Sequence, residues 1–242
     1  MGKKVVYMPS CHSTNEVASD LLKTQKIEEG TVIITDNQTS GRGQQGNHWE
    51  SDKGKNITCS LILKPNALPL SDQFVLNIIV SLGVADLVSD VLSMDAKVKW
   101  PNDVYCNNEK ISGILINSTI KGHMLENSVV GIGLNVNQQH FSNTKATSLS
   151  LLSGNTTYNL PQILESLILC IEKRYFQWKN DIDGLRNDYL KNMYWRDQVR
   201  TYKENGKYFT GIIKDVTNSG KLMVEDEVQT RLFDFKAIEF VK

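Results

Sequence analysis

The stretch "TDNQTSGRGQQGNHWES" (35–51) contains Gly41-Arg42-Gly43-Gln44-Gln45-Gly46, which fits the dinucleotide fingerprint G-x-G-x-x-G. Glycines this close let a backbone approach an anion and turn its N–H groups toward it. A dinucleotide site also needs the last glycine to open a helix, and an acid about 20 residues further on. Here Gly46 runs into "NHWESDKGKN", which has no apolar period, and "LKPNALP" stands where the acid belongs. No Walker A loop exists either, because Gly54-Lys55 is followed by Asn56. What remains is a glycine loop between two strands, carrying Arg42 at its centre.

Three other stretches place polar or charged residues beside glycines at the ends of strands. They are Lys99-Trp100-Pro101-Asn102-Asp103, Lys110-Ile111-Ser112-Gly113 and Gly131-Ile132-Gly133-Leu134-Asn135. Such clusters build small-molecule sites. Each residue also has a plain structural reading. Ser13 caps a helix, Trp49 and Trp100 pack, Asn102-Asp103 turns the chain after Pro101, and Lys110 is a solvated charge. No convincing Ser/His/Asp or Cys/His set is evident.

The elements that must position these residues follow from periodicity. "KKVVYM", "TVIIT" (31–35), "NITCSLIL" (56–63), "AKVKW" (96–100) and "SVVGIGLNVN" (128–137) read as strands, with Ile57, Cys59, Leu61 and Leu63 on one face. "VYCNNEKISGILIN" is a hairpin turning at Asn107-Asn108. "STNEVASDLLKT" opens a helix, with Ser13 and Glu16 as a capping box and Val17, Leu21 and Leu22 as its buried stripe. Phe74, Ile78, Leu82, Ala85 and Val88 give a helix over 71–91, and 160–178 is an amphipathic helix with Pro161 in its first turn. A shorter helix spans about 185–195. The last 45 or so residues hold only short strands and turns, with hairpin signals at Asn205-Gly206 and Ser219-Gly220, and read as a small antiparallel β-barrel or sandwich. The expected organisation is an α+β domain over 1–195 and a small β domain over 196–242.

Composition bounds the function. The 27 basic and 27 acidic residues among 242 cancel, which argues against a general electrostatic grip on nucleic acid. Four cysteines with no C-x-x-C pair and four scattered histidines offer no zinc spacing and no disulfide framework. The N-terminus lacks a signal-peptide pattern and no apolar run approaches the roughly 18 residues of a membrane span. A cytoplasmic protein without a membrane partner is expected.

Taken in order, Ser13-Thr14-Asn15, "QTSGRGQQGNHWES", "KWPNDVYCNNEKISGIL", "GIGLNVN" and "ATSL" (146–149) resemble the biotin–protein ligases, over most of the first 150 residues. The resemblance implies a mixed sheet flanked by helices, like class II aminoacyl-tRNA synthetases, with a small SH3-like β-barrel at the C-terminus. It implies a ligase-only enzyme without the DNA-binding helix-turn-helix of bifunctional members. Such enzymes join biotin to ATP as biotinyl-adenylate, releasing pyrophosphate, and then move biotin to one lysine of a biotin carboxyl carrier domain.

By this resemblance Arg42 and Lys110 contact the carboxylate and phosphate, and Asp103 serves the incoming lysine. Ser13, Thr14, Asn15, Gln38, Gly41, Arg42, Gly43, Gln44, Lys110 and Gly113 contact biotin. Arg42, Trp49, Asn102, Lys110 and Asn135 contact ATP or the adenylate, and Mg²⁺ arrives on the phosphates with Asp103 as a candidate ligand. Many members carry a second arginine where this chain has Gln44, so the loop is expected to hold the intermediate less tightly. Rival readings are a lipoate–protein ligase or octanoyl transferase of the same fold, although the lipoate family's R-x-S-G-G-G stretch is missing. A non-catalytic biotin sensor and a degenerate ligase that only binds its carrier are further rivals. Exposed strand edges suit either a homodimer or recognition of the carrier.

Overall fold

Strands separated by short loops and two long apolar helices must stack a sheet between helical layers to hide both of its faces. The computed structural model describes residues 1–46 and 48–241. Its main sheet has seven strands: β1 (Val5–Met8), β2 (Val32–Thr35), β3 (Ile57–Leu63), β4 (Ala96–Lys99), β5 (Asp103–Cys106), β6 (Glu109–Lys121) and β7 (Met124–Leu134). Their order is β1-β2-β3-β7-β6-β5-β4, with β1 and β2 parallel and every other pair antiparallel. It is therefore the mixed sheet expected.

β3 lies near the middle and is buried along its whole length. Its Ile57, Cys59, Leu61 and Leu63 face the large core, and Ile62 joins a smaller cluster with Ala18, Ile33 and Val129 under α1 (Thr14–Thr24). That second face is where the site forms. The large core is built on α2 (Val75–Leu92) and α4 (Leu160–Asn180), with a single turn, α3 (Leu149–Leu152), and α5 (Ile182–Lys191) beside them. A Cβ at Gly83 of α2 would stand 2.8 Å from the Ile171 backbone, so this glycine lets α2 and α4 close on each other.

The segment Leu70–Leu92 is long and apolar enough to cross a membrane, with a mean hydropathy of 1.9, contrary to the expectation that no run comes near that length. Most of it is buried inside the protein, between the sheet and α4, as a core helix would be. Asn107 and Asn108 both adopt positive φ (50° and 64°), the conformation a two-residue hairpin turn requires. β6, 13 residues long, continues well beyond the expected hairpin and pairs with β7 from Ser112 to Lys121.

The C-terminal region forms a second sheet of five antiparallel strands: β8 (Val199–Glu204), β9 (Lys207–Val216), β10 (Leu222–Glu225), β11 (Thr230–Phe233) and β12 (Glu239–Phe240). It packs onto the main sheet through Phe235, which meets both Phe74 and Trp100, and the Trp100 indole N–H donates to the Gly220 carbonyl at 2.8 Å. β12 is thereby brought beside the end of β4, and with it the tail reaches the site.

Candidate functional site

A cleft of about 660 Å³ opens between the start of α1, the glycine loop, the middle of β6 and β7, the turn after β4, and the C-terminal strand. Its floor is a hollow made by glycines. Gly113 and Gly133 are paired across β6 and β7, and Trp49 lies in the space their missing side chains leave. A Cβ at Gly113 would stand 2.9 Å from the indole, and one at Gly133 would collide with it. Gly131, two residues earlier, makes the same room for the Asn15 amide. The glycines read as an approach for a ligand thus receive the protein's own side chains. The Trp49 ring nitrogen is buried without a partner among the described residues.

The expected capping box does not form: Ser13 sits in the N-cap position with extended backbone but makes no side-chain cap bond. Its hydroxyl lines the cleft instead. The first turn of α1 buries polar groups, not apolar ones, while Val17, Leu21 and Leu22 are only half-buried at the cluster's margin. The Thr14 backbone N–H donates to Gln38 Oε1 at 2.9 Å. The Asn15 amide nitrogen donates to the Leu115 carbonyl and to Asn117 Oδ1, both at 3.1 Å. Ser60, fully buried on β3, lies 2.6 Å from Asn15 Oδ1 and 2.8 Å from Thr14 Oγ1. This end of the cleft is a polar pocket held rigid by β3, β6 and the Gln38 turn.

The cations stand further along. Lys110 Nζ lies 2.6 Å from Asp103 Oδ1 across the β5–β6 pair and 5.6 Å from the centre of the Trp49 ring. Arg42 reaches back to Glu16 of α1 at 2.6 Å, with most of its side chain exposed. The loop that carries it is pinched into a small hairpin, since Trp49 N–H donates to the Gly41 carbonyl at 3.0 Å and Arg42 bridges to His48. Gln44 begins a 3-10 turn whose first carbonyl accepts from Lys236 Nζ at 3.4 Å. Asn102 is buried and is tied to β6 both ways: its side-chain amide donates to the Ile114 carbonyl, and Ile114 N–H returns to the Asn102 carbonyl at 2.9 Å.

Twelve of the residues singled out from the sequence therefore line one cleft: Ser13, Thr14, Asn15, Gln38, Arg42, Gly43, Gln44, Trp49, Asn102, Asp103, Lys110 and Gly113. Gly41 stands behind them, where a Cβ would collide with the Trp49 carbonyl. Asn135 does not line the cleft: it is buried behind β6, donating to the Thr147 carbonyl at 2.9 Å and receiving nothing at Oδ1 from the described residues. Its visible work is to anchor the "ATSL" segment.

Sequence reasoning missed Ser60, Glu16 and the tail residues Lys236, Ile238, Glu239 and Phe240, which close the far wall. Glu16 had a signal in its helical spacing from Ser13; the tail had none. Cys59 also borders the cleft, but burial pushes its thiol up to about 12, so no thiolate nucleophile is present near neutral pH. Among the described residues no three His, Cys, Asp or Glu side chains gather as a metal cage.

The fold and site together define a class: a mixed-sheet domain whose glycine loop and two cations adjoin a polar pocket, closed by a small antiparallel sheet. The chain belongs to the biotin/lipoate A/B protein ligase family, whose model matches residues 7–135. It is 33% identical over 236 residues to the bifunctional ligase/repressor BirA of Bacillus spizizenii, covering 94% of this chain and 71% of that one. It is 29% identical over 202 residues to the biotin–[acetyl-CoA-carboxylase] ligase of Mycobacterium tuberculosis, covering 81% and 74%. The biotin protein ligase of Aquifex aeolicus, solved in complex with biotin and ATP, superposes with a TM-score of 0.82 over 99% of both chains at 22% identity, which shows a shared fold.

Proposed function

We infer that this chain is an ATP-dependent biotin–protein ligase that forms biotinyl-5′-adenylate and then biotinylates a lysine of a biotin carboxyl carrier domain. The observation that carries the reading is the order of groups along one cleft: a rigid polar pocket at the start of α1, then Lys110 and Arg42, then the Trp49 hollow. The names of the relatives, biotin ligases with ATP and biotin as bound molecules, support the same assignment.

In the first half-reaction a biotin carboxylate oxygen attacks the α-phosphorus of ATP. The bond to the β-phosphate bridging oxygen breaks and pyrophosphate leaves. Two anions must meet, and Lys110 and Arg42 offset their repulsion and the charge growing on phosphorus. Both are held by carboxylates in the protein alone, so the incoming anions take the place of Asp103 and Glu16. Mg²⁺ fits this donor set only as an ion carried on the phosphates, with Asp103 as a cleft carboxylate that could hold it, where it would offset phosphate charge. In the second half-reaction the lysine amine attacks the acyl carbon, AMP leaves, and the amine proton passes to Asp103, free once Lys110 has moved to phosphate. Residues 1–195 carry the substrate pockets, and 196–242 supply the wall that shields the mixed anhydride from water.

Pyrophosphate release with ATP and Mg²⁺, measured with biotin, with lipoate and with no acid, tests the reading. Release with biotin alone, and biotinyl-adenylate recovered by mass spectrometry, is expected. Release with lipoate alone moves the chain to the other branch of its family. Tight biotin binding without release makes it a sensor.

A further inference from the structure

We propose that Ser60, which does not touch the cleft, fixes the direction of the Thr14 hydroxyl and so makes the head pocket select a ligand that offers an N–H. The inference rests on the biotin reading of that pocket and adds to it the residue that sets its selectivity. The argument begins at a group whose polarity cannot change. The Leu115 carbonyl only accepts, so the Asn15 side chain must present its NH₂ there, at 3.1 Å. Its second amide proton goes to Asn117 Oδ1. Asn15 Oδ1 is then left facing Ser60, and Gly131 leaves the room that makes this orientation fit.

An amide oxygen cannot donate, so the 2.6 Å contact uses the single proton of Ser60. Ser60 therefore has none for Thr14, and the 2.8 Å contact between the two hydroxyls is donated by Thr14. Among the described residues the other acceptor near Thr14 Oγ1 is Gln38 Oε1, which lies at 3.4 Å and already accepts from the Thr14 N–H at 2.9 Å, so the proton is held inward by Ser60. Toward the cleft Thr14 shows lone pairs alone. Gln38 is oriented by the same logic: the Thr14 backbone N–H must donate, which places Oε1 against it and leaves the NH₂ as the group offered. The pocket thus presents an acceptor at Thr14 and donors at Gln38. A cyclic urea supplies the complementary N–H and C=O, whereas a dithiolane supplies neither. Ser60 is a positioning residue, buried behind the pocket and absent from its lining.

The test compares biotin with its cyclic carbamate analogue, in which a ring oxygen replaces one ureido N–H without changing shape. Both regioisomers are measured by calorimetry on the full-length protein. The unaltered protein is expected to prefer biotin to one isomer by roughly 10³-fold or more, as buried polar sites do when a partner hydrogen is missing. In Ser60→Ala the Thr14 proton is free to turn outward, so that preference should shrink at least tenfold. The adenylation kcat at saturating biotin should stay within about threefold, because only binding polarity has changed. Thr14→Val should also shrink the preference, and adding Ser60→Ala to it should do nothing more, since Ser60 acts through Thr14. Should Ser60→Ala fail to fold by circular dichroism, Ser60→Cys carries the same measurement with a weak donor of similar size.

An unchanged biotin-to-carbamate ratio in the Ser60 variant, or additive effects in the double variant, overturns the proposal. Absence of biotin binding by the unaltered protein instead overturns the ligase reading and this inference with it, a result no Ser60 variant can mimic.

Discussion

Lys110 and Asp103 illustrate how much one contact decides. Their 2.6 Å pair neutralises both groups until a substrate intervenes, so removing either should affect a different half-reaction. Lys110→Ala should slow pyrophosphate release by roughly 10²-fold or more, the loss seen when an aimed electrostatic group is removed. A loss below about tenfold would take Lys110 out of the catalytic set. Asp103→Asn keeps the shape but not the basicity, and should slow transfer to the carrier by roughly 10²-fold while leaving single-turnover adenylation within a few-fold. Quenched-flow separation of the two steps distinguishes them; equal slowing of both would assign Asp103 to ATP or metal binding instead.

At Gln44 the chain carries an amide on a loop whose carbonyl already meets Lys236. Gln44→Arg adds a charge that can pair with the adenylate, so leakage of the intermediate into solution should slow. An unchanged leakage rate would show that residue 44 does not face the phosphate. These residues were marked as polar groups beside glycines, but their roles were readable only from the ordered resemblance to the biotin–protein ligases. Ser60 was not readable: a serine in an apolar strand carries no mark until the partner across 46 residues is placed against it.

The strands were legible because burial on one face leaves an alternation and burial on both a short apolar run, and β3, β4, β5 and β7 start within a few residues of where that pattern begins. The start of α1 misled, because a Ser-x-x-Glu pattern satisfies the cap rule locally while tertiary partners use both side chains differently: Ser13 turns to the cleft and Glu16 to Arg42. The β6–β7 floor was half-legible. Its glycines announced a close approach, but not that Trp49 would be what approaches. Gly133→Ala must lift the indole, and the effect should fall on ATP: a KM for ATP raised about tenfold or more with biotin affinity nearly unchanged, since the head pocket lies elsewhere. Equal losses for both ligands would mean that the strand itself had moved.

A second element-level prediction concerns α4, where Arg174 clamps Asp86 of α2 and Asp188 of α5, each at 2.6 Å. Burial alone would raise the Asp188 carboxyl, but hydrogen bonds from Gln177 and Arg174 outweigh it and hold the group below its ordinary value of 3.8. A depressed carboxyl stabilises the fold above its unfolded value and loses that contribution as pH falls through the folded one. The melting temperature should therefore fall below pH 3.8, and less steeply in Asp188→Asn. Parallel curves for the two proteins would remove Asp188 from the acid response.

On the scale of the whole molecule, the C-terminal sheet is a working part of the cleft and not an appendage, because Lys236, Ile238, Glu239 and Phe240 close its wall. No motif in the tail foretold this, since wall residues need only shape and reach. The tail is held in place by a few specific contacts. Trp100 is buried and its indole donates to the Gly220 carbonyl, while Gly220, at φ 94°, sits where a Cβ would stand 2.6 Å from the Phe74 ring.

Trp100→Phe keeps an aromatic body against Phe235 but leaves that carbonyl without its donor, which costs about 1–3 kcal/mol when buried. For a chain of this size about 1 kcal/mol shifts Tm by roughly 2–4 °C, so the variant should melt several degrees lower. If the sheet is held as a cleft wall, the same change must also loosen Lys236 from the glycine loop. Biotinyl-adenylate should then escape faster even at temperatures where the variant is fully folded. A lower Tm with unchanged escape would mean that the C-terminal sheet stabilises the protein without guarding its intermediate. A faster escape without any loss of Tm would place the guarding role in Trp100 itself, at the turn that carries Asn102 and Asp103, and not in the docking of the tail.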